Sequence, residues 1–257
     1  MSLLQVQNVT KRFGGLTAND SISFEVPEST VFAVIGPNGA GKTTLFNAIS
    51  GFFPPTEGRI AFDEQDITGA PQRKIAERGL VRTYQLVQLF KDLTVTENVL
   101  VGFHLVTKGA VGAALWRPRW MREQEARIRE EARELLAFVG LSAQADMQAD
   151  TLPYGQQRLL EVARALAAKP KLLLLDEPAA GLNTDETQAL ADTILRIRDR
   201  GITVLLIEHD MSLVMQIAQR IVVLDFGKKI AEGTPAEIKA HPDVIAAYLG
   251  SPEAADA

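Results

Sequence analysis

Apolar and polar positions alternate over the first thirty residues: Leu4, Val6 and Val9, then Ile22, Phe24 and Val26, interleaved with polar side chains. A period of two with one polar face predicts half-buried antiparallel strands. The run "VFAVI" at 31–35 is different, continuously apolar and followed at once by glycines, as a strand covered on both faces would be. A helix is expected from Lys42 to Ser50, then dense turn chemistry in "GFFPPTEG", a resumed strand in "RIAFD", and a short strand "LVRTYQ" running into a loop. From about Thr94 to Gly140 the pattern turns helical. Ile128, Ala132, Leu135, Leu136 and Val139 make one apolar stripe behind a charged face, where Glu123–Arg127 and Glu125–Arg129 are i,i+4 pairs typical of a solvated helix surface.

Beyond residue 155 the order is regular: helix 155–168, strand 171–175, helix 184–200, strand 202–207, helix 211–219, strand 220–225. Strands of Leu, Val and Ile separated by helices predict βαβ units and a mostly parallel sheet. The expected fold is therefore α/β: a core from 31–50, 80–85 and 155–250, an antiparallel β-rich part from about 1–35 and 55–68, and a helical insert at about 90–150, all in one domain of residues 1–257. No internal repeat or low-complexity tract is visible.

Composition narrows the chemistry. The chain has 257 residues, 46% of them hydrophobic, enough apolar mass for a large core. A net charge of −5 argues against duplex nucleic acid as the main partner. Cysteine is absent, which excludes disulfides and thiolate chemistry, and the histidines at 104, 209 and 241 are too scattered to suggest a metal site by themselves. The opening "MSLLQVQNVTKRF" lacks a basic start followed by an apolar run, and His104 and Lys108 interrupt the most apolar stretch, 99–116. No signal peptide, no spanning helix and a reducing compartment are expected.

Three strand ends carry candidate chemistry. "GPNGAGKT" at 36–43 fits G-x-x-x-x-G-K-[ST], with an apolar strand before it and a helix after it. Phosphates need several amide donors at close range, and glycines let the backbone approach with no Cβ in the way. Lys42 is expected to reach the β- and γ-phosphates and the Thr43 hydroxyl to hold Mg²⁺. In "LLLLDEP" the apolar strand delivers Asp176 and Glu177 to its carboxyl end, Asp176 as a metal ligand and Glu177 to orient or deprotonate an attacking water. "VLLIEHD" puts His209 on the same edge, suited to the γ-phosphate, and Gln85 ends "LVRTYQ" as a neutral amide able to ligate Mg²⁺ or water. "DFG" at 225–227 has no kinase companions and reads as a hairpin turn at Phe226–Gly227.

With these residues the chain resembles the ATP-binding subunit of an ABC transporter, nearly end to end. The motifs fall in family order: the phosphate loop at 36–43, Gln85 as the Q-loop, "LPYGQQR" as the signature, "LLLLDE" as Walker B, "PAAGLN" at 178–183 as the D-loop and His209 as the switch histidine. The resemblance implies a P-loop, RecA-like core binding ATP and Mg²⁺, with Glu177, His209 and Gln85 catalytic and Thr43, Gln85 and Asp176 around the metal. Nucleotide contacts are implied at Gly36, Pro37, Asn38, Gly39, Ala40, Gly41, Lys42, Thr43 and Thr44, and at Phe13, where the family places an aromatic on adenine. The signature helix of one subunit faces the ATP of another, so Gly155 and Gln156 are implied as contacts across a dimer of like or similar chains. Pro153 and Tyr154 depart from the family's usual Leu-Ser-Gly-Gly-Gln, leaving phosphate contact mainly to Gly155 and its neighbours.

"YGQQR", "EPAAGLN", "IEHDM" and "HPDVIAAYLG" are similar to the ATPases of branched-chain amino acid uptake systems. That likeness implies transmembrane permease subunits and, indirectly, a solute-binding protein as partners, no nucleic acid, and a peripheral place on the cytoplasmic face of the plasma membrane. The apolar "LVQLF" after Gln85 is the expected docking groove. The alternatives are a lipopolysaccharide or lipid transport ATPase and, from another class, a soluble ABC-type ATPase of repair or translation. The first shares much of the pattern. Repair members need long coiled-coil arms, and translation members need a second cassette in the same chain.

Overall fold

The computed structural model describes residues 2–83, 88–107 and 119–249. It divides into two compact units, one of residues 1–85, 171–180 and 187–257, the other of residues 86–170 and 181–186.

In the first unit the alternating N-terminal segments form strands β1 (Ser2–Phe13) and β2 (Leu16–Pro27), an antiparallel pair closed where Phe13 faces Leu16. Ile22, Phe24 and Val26 point into the core while Ser21 and Glu25 are exposed, as a period of two requires. Strands β4 (Glu57–Phe62) and β5 (Gln65–Asp66) complete a sheet of order β2-β1-β4-β5. The second sheet has the order β10-β9-β3-β8-β7-β6, built from β3 (Val31–Ile35), β6 (Leu80–Arg82), β7 (Leu172–Asp176), β8 (Thr203–Ile207), β9 (Arg220–Asp225) and β10 (Lys228–Gly233). Only β10 runs antiparallel, joined to β9 by a two-residue turn in which Phe226 (φ 42°) and Gly227 (φ 78°) are both left-handed. Such a turn matches the twist of the strands it connects.

Every residue of β3, β7 and β8 is buried, which explains their unbroken apolar character. Helix α1 (Lys42–Ile49) follows β3 and places Leu45, Phe46 and Ile49 in one cluster with Leu4, Ile60 and Phe62 of the antiparallel sheet and Phe32, Val34 and Leu174 of the parallel one. Each such side chain contributes about 1.5–3 kcal/mol on burial, so α1 is clamped from both sides. Helix α2 (Gln72–Glu77) precedes β6.

The second unit is helical. Helix α3 (Val95–Gly102) opens with a reciprocal capping box between Thr94 and Glu97. Helix α4 (Arg119–Phe138) buries Ala132, Leu136 and Phe138 and keeps Arg133 and Glu134 in solvent. Helix α5 (Tyr154–Ala167) packs so tightly on α3 that a Cβ on Gly102 would fall 2.2 Å from the Arg164 carbonyl oxygen. Helix α6 (Thr184–Asp199) begins in this unit and continues in the first, where α7 (Met211–Ile217), α8 (Pro235–Lys239) and α9 (Pro242–Leu249) also lie. Among the described residues no helix is long and apolar enough to cross a membrane.

Candidate active site

Strand register assembles the site. Val34 of β3 lies level with Ile207 of β8, and Ile207 lies level with Asp176 of β7. The residues that follow these strands, Gly36, Glu177 and His209, therefore emerge on one edge, the carboxyl edge where open α/β sheets bind ligands.

The loop from Gly36 to Lys42 is shaped by backbone that other residues could not adopt. Gly36 has φ 149°, and a Cβ there would sit 2.0 Å from the Leu224 carbonyl oxygen; Gly41 has φ 95°, with the Ala18 carbonyl oxygen at 2.3 Å. The loop is also held from outside. Asn19 Nδ2 donates to the Gly41 carbonyl (3.0 Å), and the Gly227 amide donates to that of Ala40 (3.1 Å). No side chain caps α1 and its first turn carries no acid, so its amides keep the electropositive character that attracts anions. Asn38, Gly39 and Thr43 are exposed, Pro37 and Thr44 half-buried, Ala40 buried. Lys42 folds back onto its own loop, with Nζ donating to the Gly36 (2.6 Å) and Pro37 (3.0 Å) carbonyls. Its burial lowers the ammonium's pKa, and the nearby Glu177 charge pulls partly the other way.

Glu177 takes φ 46°, a left-handed conformation costing a non-glycine residue about 1–2 kcal/mol. Its amide donates to the Ile207 carbonyl (3.0 Å), and its Oε1 lies 3.5 Å from His209 Nδ1. Mostly buried, Glu177 faces a half-exposed imidazole. Asp176 is almost fully buried and accepts from Arg82 Nη2 at 2.6 Å; the same guanidinium donates to Asn47 Oδ1 and Ser50 Oγ, both at 2.8 Å. The carboxylate predicted to ligate a metal is thus ion-paired from β6. Gln85 lies outside the described residues, as does part of the "LVQLF" segment predicted to dock a partner.

Phe13, at the end of β1, is half-exposed, with its ring edge-on to Phe53 (centroids 5.4 Å apart) and Lys11 Nζ 5.0 Å from its centroid. Gly155 and Gln156 belong to the other unit, in the first turn of α5. Pro153 is the N-cap residue and offers no side-chain bond. Gly155 is buried because Glu186 covers it: a Cβ there would be 2.5 Å from the Glu186 carboxyl group. Glu186 is fixed in turn by a reciprocal pair with Asn183, each amide donating to the other's side chain at 3.0 Å. Further along α5 the buried Arg158 bridges Glu161 (3.0 Å) and the Tyr154 hydroxyl (3.3 Å), while burial raises the Glu161 pKa against the pull of Arg158 and Arg164.

The residues that sequence reasoning missed are supports. Arg82 was visible as a charge inside an apolar strand, and Glu208 as an acid directly after one. Asn19 gave no signal, since a polar residue in an alternating strand is ordinary.

A family model described as "ABC transporter" matches residues 19–180, and a second, "Branched-chain amino acid ATP-binding cassette transporter", matches residues 228–254. The chain is 48% identical over 249 residues to the high-affinity branched-chain amino acid transport ATP-binding protein BraF of Pseudomonas aeruginosa, covering 96% of this chain and 98% of that protein. Among solved structures it is similar to an ATP-binding cassette of an ABC transporter in its ADP conformation (TM-score 0.85, 35% identity, covering 98% of this chain and 100% of that one). It is also similar to an ATP-binding cassette solved as a dimer in a post-hydrolysis state bound to ADP and Pi (TM-score 0.74, 25% identity, covering 90% of this chain and 98% of that one). With the phosphate loop, the Asp176–Glu177 pair and His209 on one sheet edge, these matches establish that the chain belongs to the ABC transporter family as an ATP-binding cassette, a family whose activity is ATP hydrolysis.

Proposed function

We propose that the protein is the ATP-hydrolysing subunit of a branched-chain amino acid importer, working as a dimer with a like or similar chain on the cytoplasmic face of the membrane and driving permease subunits. The observation that carries the catalytic part is the approach of Glu177 Oε1 to His209 Nδ1 at 3.5 Å beside the phosphate loop. Loop amides and the first turn of α1 bind the β- and γ-phosphates, and Lys42 exchanges its two carbonyl partners for phosphate oxygens. That exchange relieves a buried cation by giving it an anion. Phe13 offers its exposed ring to adenine.

The donor set suits Mg²⁺. A hydroxyl at Thr43 and a single buried carboxylate at Asp176 are hard oxygen ligands, few in number, as this ion uses when nucleotide phosphates supply the rest. Gln85 would complete them. Bound there, the ion would neutralise charge on the β- and γ-phosphates. Glu177 accepts the proton of a water attacking the γ-phosphorus, the bond to the β-phosphate oxygen breaks, and ADP and phosphate result. His209 holds the γ-phosphate in line. Gly155, Gln156 and their free helix-start amides face the nucleotide of the companion chain, a reading supported by the dimeric form of the post-hydrolysis cassette.

Substrate class rests on the likeness to BraF and on the C-terminal family match at 228–254. Replacing Glu177 by Gln should lower ATP turnover by roughly 10²-fold or more while ATP still binds, leaving a dimer that gel filtration detects only with ATP present. A Glu177→Gln protein hydrolysing at the normal rate would remove Glu177 as the base. Uptake of leucine by vesicles carrying the assembled system, compared with uptake of a basic amino acid, tests the cargo.

A further inference from the structure

One buried carboxylate next to the site has no part in the chemistry above. Glu208 is 1% exposed, in the turn between β8 and α7. Its Oε1 accepts from the Ala179 amide at 2.7 Å, and its Oε2 from the amides of His209 (3.1 Å) and Asp210 (3.4 Å). Ala179 lies two residues after Glu177, in a turn that the Ala180 amide closes on the Glu177 carbonyl at 3.1 Å. Asp210 then caps α7 by accepting from the Leu213 amide at 3.1 Å. A single side chain thus ties the turn carrying Glu177 to the turn carrying His209.

We propose that Glu208 is a positioning residue for ATP hydrolysis, holding Glu177 and His209 in register by fastening their two turns to one carboxylate. Burying a charge is expensive unless it is fully hydrogen-bonded, and here three backbone donors meet two acceptor oxygens. Glutamine has the same size but one acceptor oxygen, so its amide nitrogen must confront either the Ala179 amide or the His209 and Asp210 amides, donor against donor. The main-chain bond from Glu177 to Ile207 survives, and the strands stay paired, but the turns lose their common anchor. Because loop amides and Lys42 are untouched, ATP binding is preserved. The consequence is a fall in turnover, since a displacement on the scale of an ångström at the reacting groups is enough to slow a step severely.

This inference rests on Glu177 and His209 acting together at the γ-phosphate. Glu208→Gln in the full-length chain, assayed beside wild type and Glu177→Gln, should lower kcat per ATP-binding site about tenfold or more while KM for ATP stays within about twofold. A kcat within about twofold of wild type, or a loss appearing wholly in KM or in the number of ATP-binding sites, overturns it. If wild type and Glu177→Gln hydrolyse ATP equally, the functional reading fails instead, whatever Glu208→Gln does. Wild type alone provides a second test that needs no variant to fold. Ala179 and His209 donate to the two oxygens of this one buried carboxylate, so hydrogen exchange should find both amides protected well beyond exposed turn amides, with and without MgATP. Exchange at either amide as fast as in an exposed turn overturns the proposal.

Discussion

At the scale of the residue, the site is built from groups held in states they would not choose alone. Lys42 is a buried ammonium resting on two carbonyls, and Glu177 is a non-glycine residue in left-handed backbone. The lowered pKa of Lys42 makes a signed prediction. A cation whose folded-state pKa lies below its unfolded-state value weakens the fold at neutral pH, and that penalty fades as pH rises through the folded value into the ordinary lysine range. The melting temperature of Lys42→Met minus that of wild type should therefore shrink from pH 7 towards that range, read by scanning fluorimetry without nucleotide. A difference that widens with pH contradicts the assignment. MgATP should raise the melting temperature of wild type and leave Lys42→Met unmoved.

At the scale of the element, the β9–β10 hairpin does more than end a sheet. Its turn residue Gly227 donates to the Ala40 carbonyl and accepts from the Asp20 amide (2.8 Å), so the hairpin braces the phosphate loop and ties it to β2. Gly227 has φ 78°, and a Cβ there would come within 2.8 Å of the Ala18 carbonyl oxygen. Gly227→Ala should lower stability by about 1–2 kcal/mol in urea denaturation and weaken ATP binding, although no atom of residue 227 needs to touch the nucleotide. Unchanged ATP affinity in a destabilised variant would show that the brace serves folding only. In the sequence this turn was legible as a hairpin, from the alternation of "IVVLDFGKKIAEG". Its second role was not, because a hydrogen bond to a loop almost 190 residues earlier leaves no trace in local pattern.

At the scale of the whole molecule, the two units divide the chemistry. The phosphate loop, Asp176, Glu177 and His209 belong to one unit, while Gly155 and Gln156 belong to the other, where Gly155 packs beneath Glu186. On the proposed reading, in which Gly155 and Gln156 serve the nucleotide of a companion chain, ATP is hydrolysed only by an assembly. Specific activity of the isolated subunit should accordingly rise with protein concentration and fall towards zero on dilution, and light scattering should show ATP-bound Glu177→Gln at twice the mass of the nucleotide-free protein. Activity per chain that is independent of dilution would rule out a shared site.

Local backbone demands and burial are what the sequence determined by itself. Glycines at 36, 39 and 41 mark a loop that only they can follow, "LLLLDE" and "VLLIEHD" announce strands covered on both faces with polar groups at their ends, and the alternating first thirty residues announce an antiparallel sheet. These signals are local because sterics and side-chain periodicity act over a few residues. Tertiary structure alone decided which strand ends meet. The order β3-β8-β7 sets the His209 turn between the phosphate loop and Glu177, brings Arg82 onto Asp176, and closes Glu208 over an amide 29 residues away in the chain. Strand neighbours are chosen by the packing of the entire core, so the supports of the site depend on residues distant along the chain, and no stretch of sequence carries them by itself.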